Sequence, residues 1–258
     1  MATDYRTLAL VLAGGEGTNV RPYLREEDGE SVKPMMKIGE YEGRLIDVVL
    51  KSLKDLDAEL AVLSFNSEEY RGLDATANDN GARVLYQKAR HVKLPHFLYF
   101  IDVPRVLIKQ YHHSDDREYL RGFDSILTAP CDIVLENFDL GEMIDFHNGN
   151  LGNPEERQVT ILSKGSDYGT DKERTNLFKI RNERVFGIRG YKGFPVEGYE
   201  EFTQPGFYMV SRGVLEHPWK TLFGGFRRSR ILIHEMCGTW IDYGDPEVLE
   251  KIRPQSRP

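Results

Sequence analysis

The first apolar run, and the way it ends, constrains this chain more than any other feature. Thr7-Leu8-Ala9-Leu10-Val11-Leu12 contains no polar alternation. Such a run suits a strand buried on both faces, the pattern of a parallel sheet covered by helices. It opens into Ala13-Gly14-Gly15-Glu16-Gly17-Thr18. Glycines at this density permit positive φ and close approach of a ligand. Successive N–H groups in such a turn form a concavity that holds anions. In open α/β sheets, ligands sit outside the carboxyl ends of the strands. A strand-end turn with no ligand is the plain alternative for the glycines alone. Two standard nucleotide loops do not fit. The dinucleotide fingerprint would place its third glycine at Val20, and the P-loop needs a lysine that this turn lacks.

Further strands are expected at Glu59 to Phe65, Phe97 to Val103, Ser125 to Ala129, Val159 to Ser163 and Phe207 to Val210. Leu45 to Leu53 carries apolar residues at helical spacing. A short helix is expected at Arg105 to Tyr111, and another helix at Leu140 to His147. Strands alternating with helices argue for an α/β fold with a mostly parallel sheet. The 258 residues show no composition shift that marks a boundary, so a single domain, 1–258, is expected.

Charge and cysteine content narrow the partners. Lys and Arg number 34 against 41 Asp and Glu, a net charge of −7. That balance argues against nucleic acid as a partner, although one local basic loop suffices for a single nucleotide. The two cysteines, Cys131 and Cys237, exclude a disulfide framework and a four-cysteine zinc site, and they point to a cytoplasmic home. The start of the chain lacks the pattern of a signal peptide. Leu8 to Ala13 is too short to span a bilayer, so no membrane association is expected. His112-His113 point about 100° apart on a helix and make poor co-ligands. The run Arg25 to Glu30 reads as a solvated face.

Cations follow the glycine turn. Arg21 precedes Pro22, and Lys33 precedes Pro34. Arginine offers phosphate a planar fork and lysine a compact point charge. Taken in order, Leu12-Ala13-Gly14-Gly15-Glu16-Gly17-Thr18, Arg21-Pro22 and Lys33-Pro34-Met35 resemble the signature of the sugar-phosphate nucleotidyltransferases, the nucleotide-sugar pyrophosphorylases. The resemblance continues through Pro130-Cys131-Asp132-Ile133, Tyr168-Gly169, Gln204-Pro205-Gly206-Phe207-Tyr208 and Gly238-Thr239-Trp240-Ile241-Asp242-Tyr243-Gly244-Asp245-Pro246-Glu247. It covers nearly the whole chain.

The resemblance implies a Rossmann-like, GT-A type three-layer αβα sandwich with a mostly parallel mixed sheet. A nucleotide-binding half would run over about 1–140 and a sugar-phosphate half over about 141–258. The implied reaction couples a nucleoside triphosphate to a sugar 1-phosphate, releases pyrophosphate and depends on Mg²⁺. Leu12, Ala13, Gly14, Gly15, Gly17, Thr18 and Asn19 would bind the nucleotide. Arg21, Lys33 and Asp132 would be catalytic, and Asp132 with Asp242 would hold the metal. Gly169, Lys192 and Gly206 would face the sugar phosphate. Self-association into a homo-oligomer stays open.

The chain departs from the family pattern at several places. Asn19 stands where the family has an arginine directly after the threonine, and Cys131 stands for the usual glycine. The base-recognition loop is replaced by a region containing Asp102-Val103-Pro104-Arg105. Gly190-Tyr191-Lys192 carries no glutamate where the family has one. Losing one charge-stabilising contact costs ~10²–10³ in rate. A second reading therefore stands beside the enzyme: a weak or inactive relative that binds nucleotide or nucleotide sugar and regulates a partner subunit.

Overall fold

A computed structural model describes residues 5–14, 20–25, 29–39, 43–87, 107, 110–112, 114–165, 176–181, 184–190, 200–203, 205–216 and 229–252. Their contacts form two compact units, each assembled from separate stretches of chain. One comprises Leu8–Ala89, Ala129–Phe138 and Gly238–Pro258, and the other comprises Met1–Thr7, Arg90–Thr128 and Asp139–Cys237.

In the first unit, β1 (Thr7–Leu12) runs parallel to β4 (Glu59–Ser64), with Leu8 opposite Glu59 and Leu12 opposite Leu63. Next, β4 runs parallel to β5 (Arg83–Tyr86). Leu8, Leu10, Val11, Val62 and Leu85 are buried, as the unbroken apolar runs require. Helix α1 (Leu45–Leu53) has the bounds its spacing predicts and buries Leu45, Ile46, Val49, Leu50 and Leu53. The Arg44 N–H donates to Asp47 Oδ2 at 3.2 Å and closes its first turn. Helix α2 (Arg71–Asp79) buries Leu73 and Ala77. Asn80 Nδ2 ties the two helices together through Asp47 Oδ1 at 3.0 Å.

Two short ribbons complete this unit. Strands β2 (Lys37–Ile38) and β3 (Gly43–Arg44) pair antiparallel. So do β7 (Ile133–Glu136) and β14 (Thr239–Asp242), which place Asp242 opposite Ile133. Helix α6 (Pro246–Ile252) follows β14, and Asp245 Oδ1 accepts the Glu247 N–H at 2.9 Å to cap its start.

In the second unit, antiparallel pairing dominates. Strand β6 (Ser125–Pro130) pairs with β12 (Tyr208–Ser211), and β12 pairs with β8 (Gln158–Gly165). Beyond β8 lie β11 (Glu200–Thr203), β9 (Asn176–Arg181) and β10 (Arg184–Gly190), each antiparallel to its neighbour. Strand β13 (Arg230–Glu235) runs parallel to β8. Parallel pairing thus joins β1, β4 and β5 in the first unit, while the second unit combines antiparallel pairs with the parallel β13–β8 pair. Helix α4 (Leu140–Asn150) extends one turn past its expected end at His147. Its Asp139 Oδ1 accepts the Gly141 N–H at 2.8 Å. Helices α3 (Arg117–Arg121) and α5 (Arg212–Glu216) are short.

The expected strand at Phe97 to Val103 and most of the expected helix at Arg105 to Tyr111 lie outside the described residues. His234-Glu235 sits at the end of β13. Among the described residues, no helix is long and apolar enough to cross a membrane.

Candidate functional site

The candidate site lies within the first unit, where Lys33, Asp132 and Asp242 converge at Gly244. The Ala13 N–H donates to the Leu63 carbonyl at 3.0 Å. Ala13 is therefore tied to the end of β4 instead of offering its N–H to a ligand. Leu12 is half-buried, and Gly14 is crowded. A Cβ on Gly14 would come within 2.9 Å of Gln87 Oε1 and 3.4 Å of Phe65 Cε2, so a side chain there would push the Gln87 amide aside. Gly15, Gly17, Thr18 and Asn19 lie outside the described residues, as do Gly169 and Lys192. Arg21 is exposed, on a 3₁₀ turn spanning Arg21–Tyr23.

Lys33 opens a second 3₁₀ turn, Lys33–Met35, with Pro34 and Met35 buried beneath it. A carboxylate that the sequence reading placed on a solvated face holds this turn. Glu30 is fully buried, and its Oε2 and Oε1 accept the N–H groups of Arg25 and Lys37 at 2.9 Å each. Two backbone donors stabilise the buried charge. They fix both flanks of Lys33.

Asp132 stands immediately before β7 and Asp242 ends β14. Their approach follows from the ribbon register, reinforced by the Tyr243 N–H bonding the Asp132 carbonyl at 2.8 Å. Two glycines bracket β14 and permit this closeness. A Cβ on Gly238 would collide with the Glu136 carbonyl and lie 2.9 Å from that of Asn137. A Cβ on Gly244 would lie 2.6 Å from both Asp132 Oδ2 and Lys33 Nζ, and 2.9 Å from Asp242 Oδ1. Lys33, Asp132 and Asp242 thus surround one point. The sequence reading assigned neither glycine a role.

Lys33 Nζ forms an ion pair with Asp132 Oδ2. Burial alone would lower the Lys33 pKa, but the Asp132 carboxylate, assisted by Asp242, reverses the sign and raises it. Lys33 is therefore a fixed cation at neutral pH. Cys131 is buried beside this pair. Burial first, and the neighbouring Asp132 second, push its thiol up to about 12, so it stays protonated and is no nucleophile. Asp242 Oδ1 also accepts the Gly244 N–H at 2.7 Å.

Among the described residues, no set of three or more His, Cys, Asp or Glu side chains forms a metal cluster. The pair that does converge fits Mg²⁺ nonetheless. That ion takes one or two carboxylates and fills its other positions with water and substrate phosphate. Gly244 itself adds no side chain at the point where the two carboxylates converge.

Gly206 belongs to the other unit, two residues before β12, with φ at +86°. That backbone state is open to glycine at little cost. Arg230 bonds the Asn150 carbonyl at the end of α4 at 3.0 Å, which gives it a helix-closing role. His112 Nε2 lies 2.7 Å from the Leu215 carbonyl, a structural contact.

No protein-family model matches the sequence, and no curated protein does. Solved structures do resemble it across nearly their full lengths. A putative glucose-1-phosphate thymidylyltransferase from Bacillus anthracis superposes with a TM-score of 0.63 at 17% identity, covering 96% of this chain and 94% of that one. A UDP-glucose pyrophosphorylase bound to UDP-glucose gives 0.63 at 12% identity, covering 96% and 97%. The inositol-1-phosphate CTP transferase of T. maritima gives 0.58 at 14% identity, covering both chains fully. The chain has the Rossmann-like fold of these nucleotidyltransferases.

Proposed function

We propose that this chain is a nucleotidyltransferase that joins a nucleoside triphosphate to a sugar 1-phosphate and releases pyrophosphate. The convergence of Lys33, Asp132 and Asp242 at the Gly244 backbone, in the unit that carries the glycine turn, supports this reading most strongly. The fold supports it independently.

In-line attack of a sugar-phosphate oxygen on the α-phosphate asks for positioning and charge stabilisation more than for covalent chemistry. Asp132 and Asp242 would hold Mg²⁺. When bound, that ion neutralises phosphate charge and aligns the attacking and leaving oxygens. Lys33 supplies a permanent positive charge to phosphate oxygens. Gly14, with Gly15, Gly17 and Thr18 of the sequence motif, would bind the triphosphate. The outcome of Asn19 in place of the family's arginine is read directly by turnover.

Pyrophosphate release from a matrix of nucleoside triphosphates and sugar 1-phosphates tests the proposal. One pairing is expected to turn over in a Mg²⁺-dependent manner. Tight nucleotide-sugar binding with no turnover for any pairing would instead establish the regulatory reading.

Gly244→Ala separates site geometry from stability. Its methyl group would press on Asp132, Lys33 and Asp242 together. Displacement of about 1 Å costs on the order of 10² in rate. A comparable loss in kcat is expected, with the thermal midpoint falling by only a few degrees.

A further inference from the structure

The Lys33 ammonium already has a partner before any phosphate arrives. It lies on Asp132 Oδ2, and the two side chains retain 17% and 21% of their exposure. The same ammonium and the same oxygen stand 2.6 Å from the point a Gly244 Cβ would occupy, with Asp242 Oδ1 at 2.9 Å. The ammonium therefore shares one small volume with oxygens of both carboxylates. A divalent cation held by Asp132 and Asp242 would share the Asp132 carboxylate with the Lys33 ammonium. Two cations on one carboxylate repel at this range, and partial burial weakens the screening.

We propose that Lys33 is a built-in competitor for the divalent cation, leaving Asp132 when the cation enters and transferring its charge to the polyphosphate. This rests on the reading of the site given above. The cation alone then binds weakly. A polyphosphate draws Lys33 away and exposes Asp132, so triphosphate and cation bind cooperatively. Linkage makes the effect reciprocal: each ligand tightens the other by the same factor.

The test uses Mn²⁺ alone, titrated into the full chain and followed by the electron paramagnetic resonance of free Mn²⁺. Lys33→Met is expected to tighten Mn²⁺ binding by ~10-fold or more, within the usual range of coupling. Lys33→Gln is expected to do the same and serves if the methionine variant does not fold. Lys33→Arg retains the charge and stays near wild type. Arg21→Met removes a positive charge that makes no contact with Asp132, and its shift is expected to be at most ~3-fold. Wild-type affinity in both Lys33→Met and Lys33→Gln, with Mn²⁺ lost in Asp132→Asn, would overturn the competition and leave the cation site intact. An equal gain from Arg21→Met would also overturn it, since general charge would then explain the effect. If Asp132→Asn does not weaken Mn²⁺ binding, or if no variant binds it, the site reading falls and the competition falls with it.

Discussion

Asp132→Asn lowers pyrophosphate release by roughly 10²–10³-fold, the size of effect expected when one charge-stabilising group is lost from a phosphate-transfer centre. Asparagine keeps the shape of the side chain, and its carbonyl oxygen can still accept from Lys33. The Tyr243 N–H to Asp132 carbonyl bond at 2.8 Å belongs to the backbone and survives. The ribbon of β7 and β14 should therefore stay closed. Circular dichroism and the melting midpoint should change little, and the loss should appear in kcat. Asp242→Asn should behave similarly, because its Oδ1 faces the same point. The exposed helix-capping residue Asp139 makes a fitting control, since Asp139→Asn preserves the cap and should leave turnover unchanged. Asp132→Asn within two-fold of wild type would remove Asp132 from the chemistry.

Acid should destabilise the second unit through His147. This ring is fully buried on α4, and its Nδ1 lies 2.8 Å from Thr160 Oγ1. Gln158 Nε2 donates to the His147 carbonyl at 2.8 Å. Desolvation pushes the imidazole down to about 3. In the unfolded chain it titrates near ~6.5. Between those values the unfolded chain binds a proton that the native protein refuses. The stabilising effect is complete above pH ~6.5 and is lost as pH falls towards 3. Each pH unit in that window removes about 1.4 kcal/mol, so the difference between pH 7 and pH 4 is about 3 kcal/mol. His147→Asn keeps a polar atom near the Nδ1 position and carries no titrating group. Urea unfolding at pH 7, 5 and 4 should show wild type losing about 3 kcal/mol more than the variant over that span. Parallel pH profiles for the two proteins would show that His147 does not drive the acid response.

The sequence made parts of this fold and site readable because their causes are local. Thr7–Leu12 and Leu45–Leu53 are set by their own apolar patterns, and both have their expected bounds. The ribbon that joins Asp132 to Asp242 is different. Ile133–Glu136 and Thr239–Asp242 are four-residue strands with partly exposed side chains, and each finds its partner far along the chain. Neither carries a periodicity that a local reading can detect. Both aspartates were reachable through resemblance, but the two glycines that let them approach act by exclusion, and only backbone proximity reveals that. Glu30 shows the opposite failure. It ends a run of charges that reads as solvated, yet it is buried because two backbone N–H groups need an acceptor there. Helix α2 was missed because Arg71–Asp79 is polar overall and buries only a narrow face.

Crystals grown with Mn²⁺ and the triphosphate that binds most tightly give the most direct measurement, read as anomalous scattering from the metal. The expected result is a Mn²⁺ peak bonded to oxygens of both Asp132 and Asp242, with phosphate oxygens on the same ion and Lys33 moved from Asp132 to the phosphates. A well-ordered triphosphate with no ion at either aspartate, and Lys33 still paired to Asp132, would contradict the account.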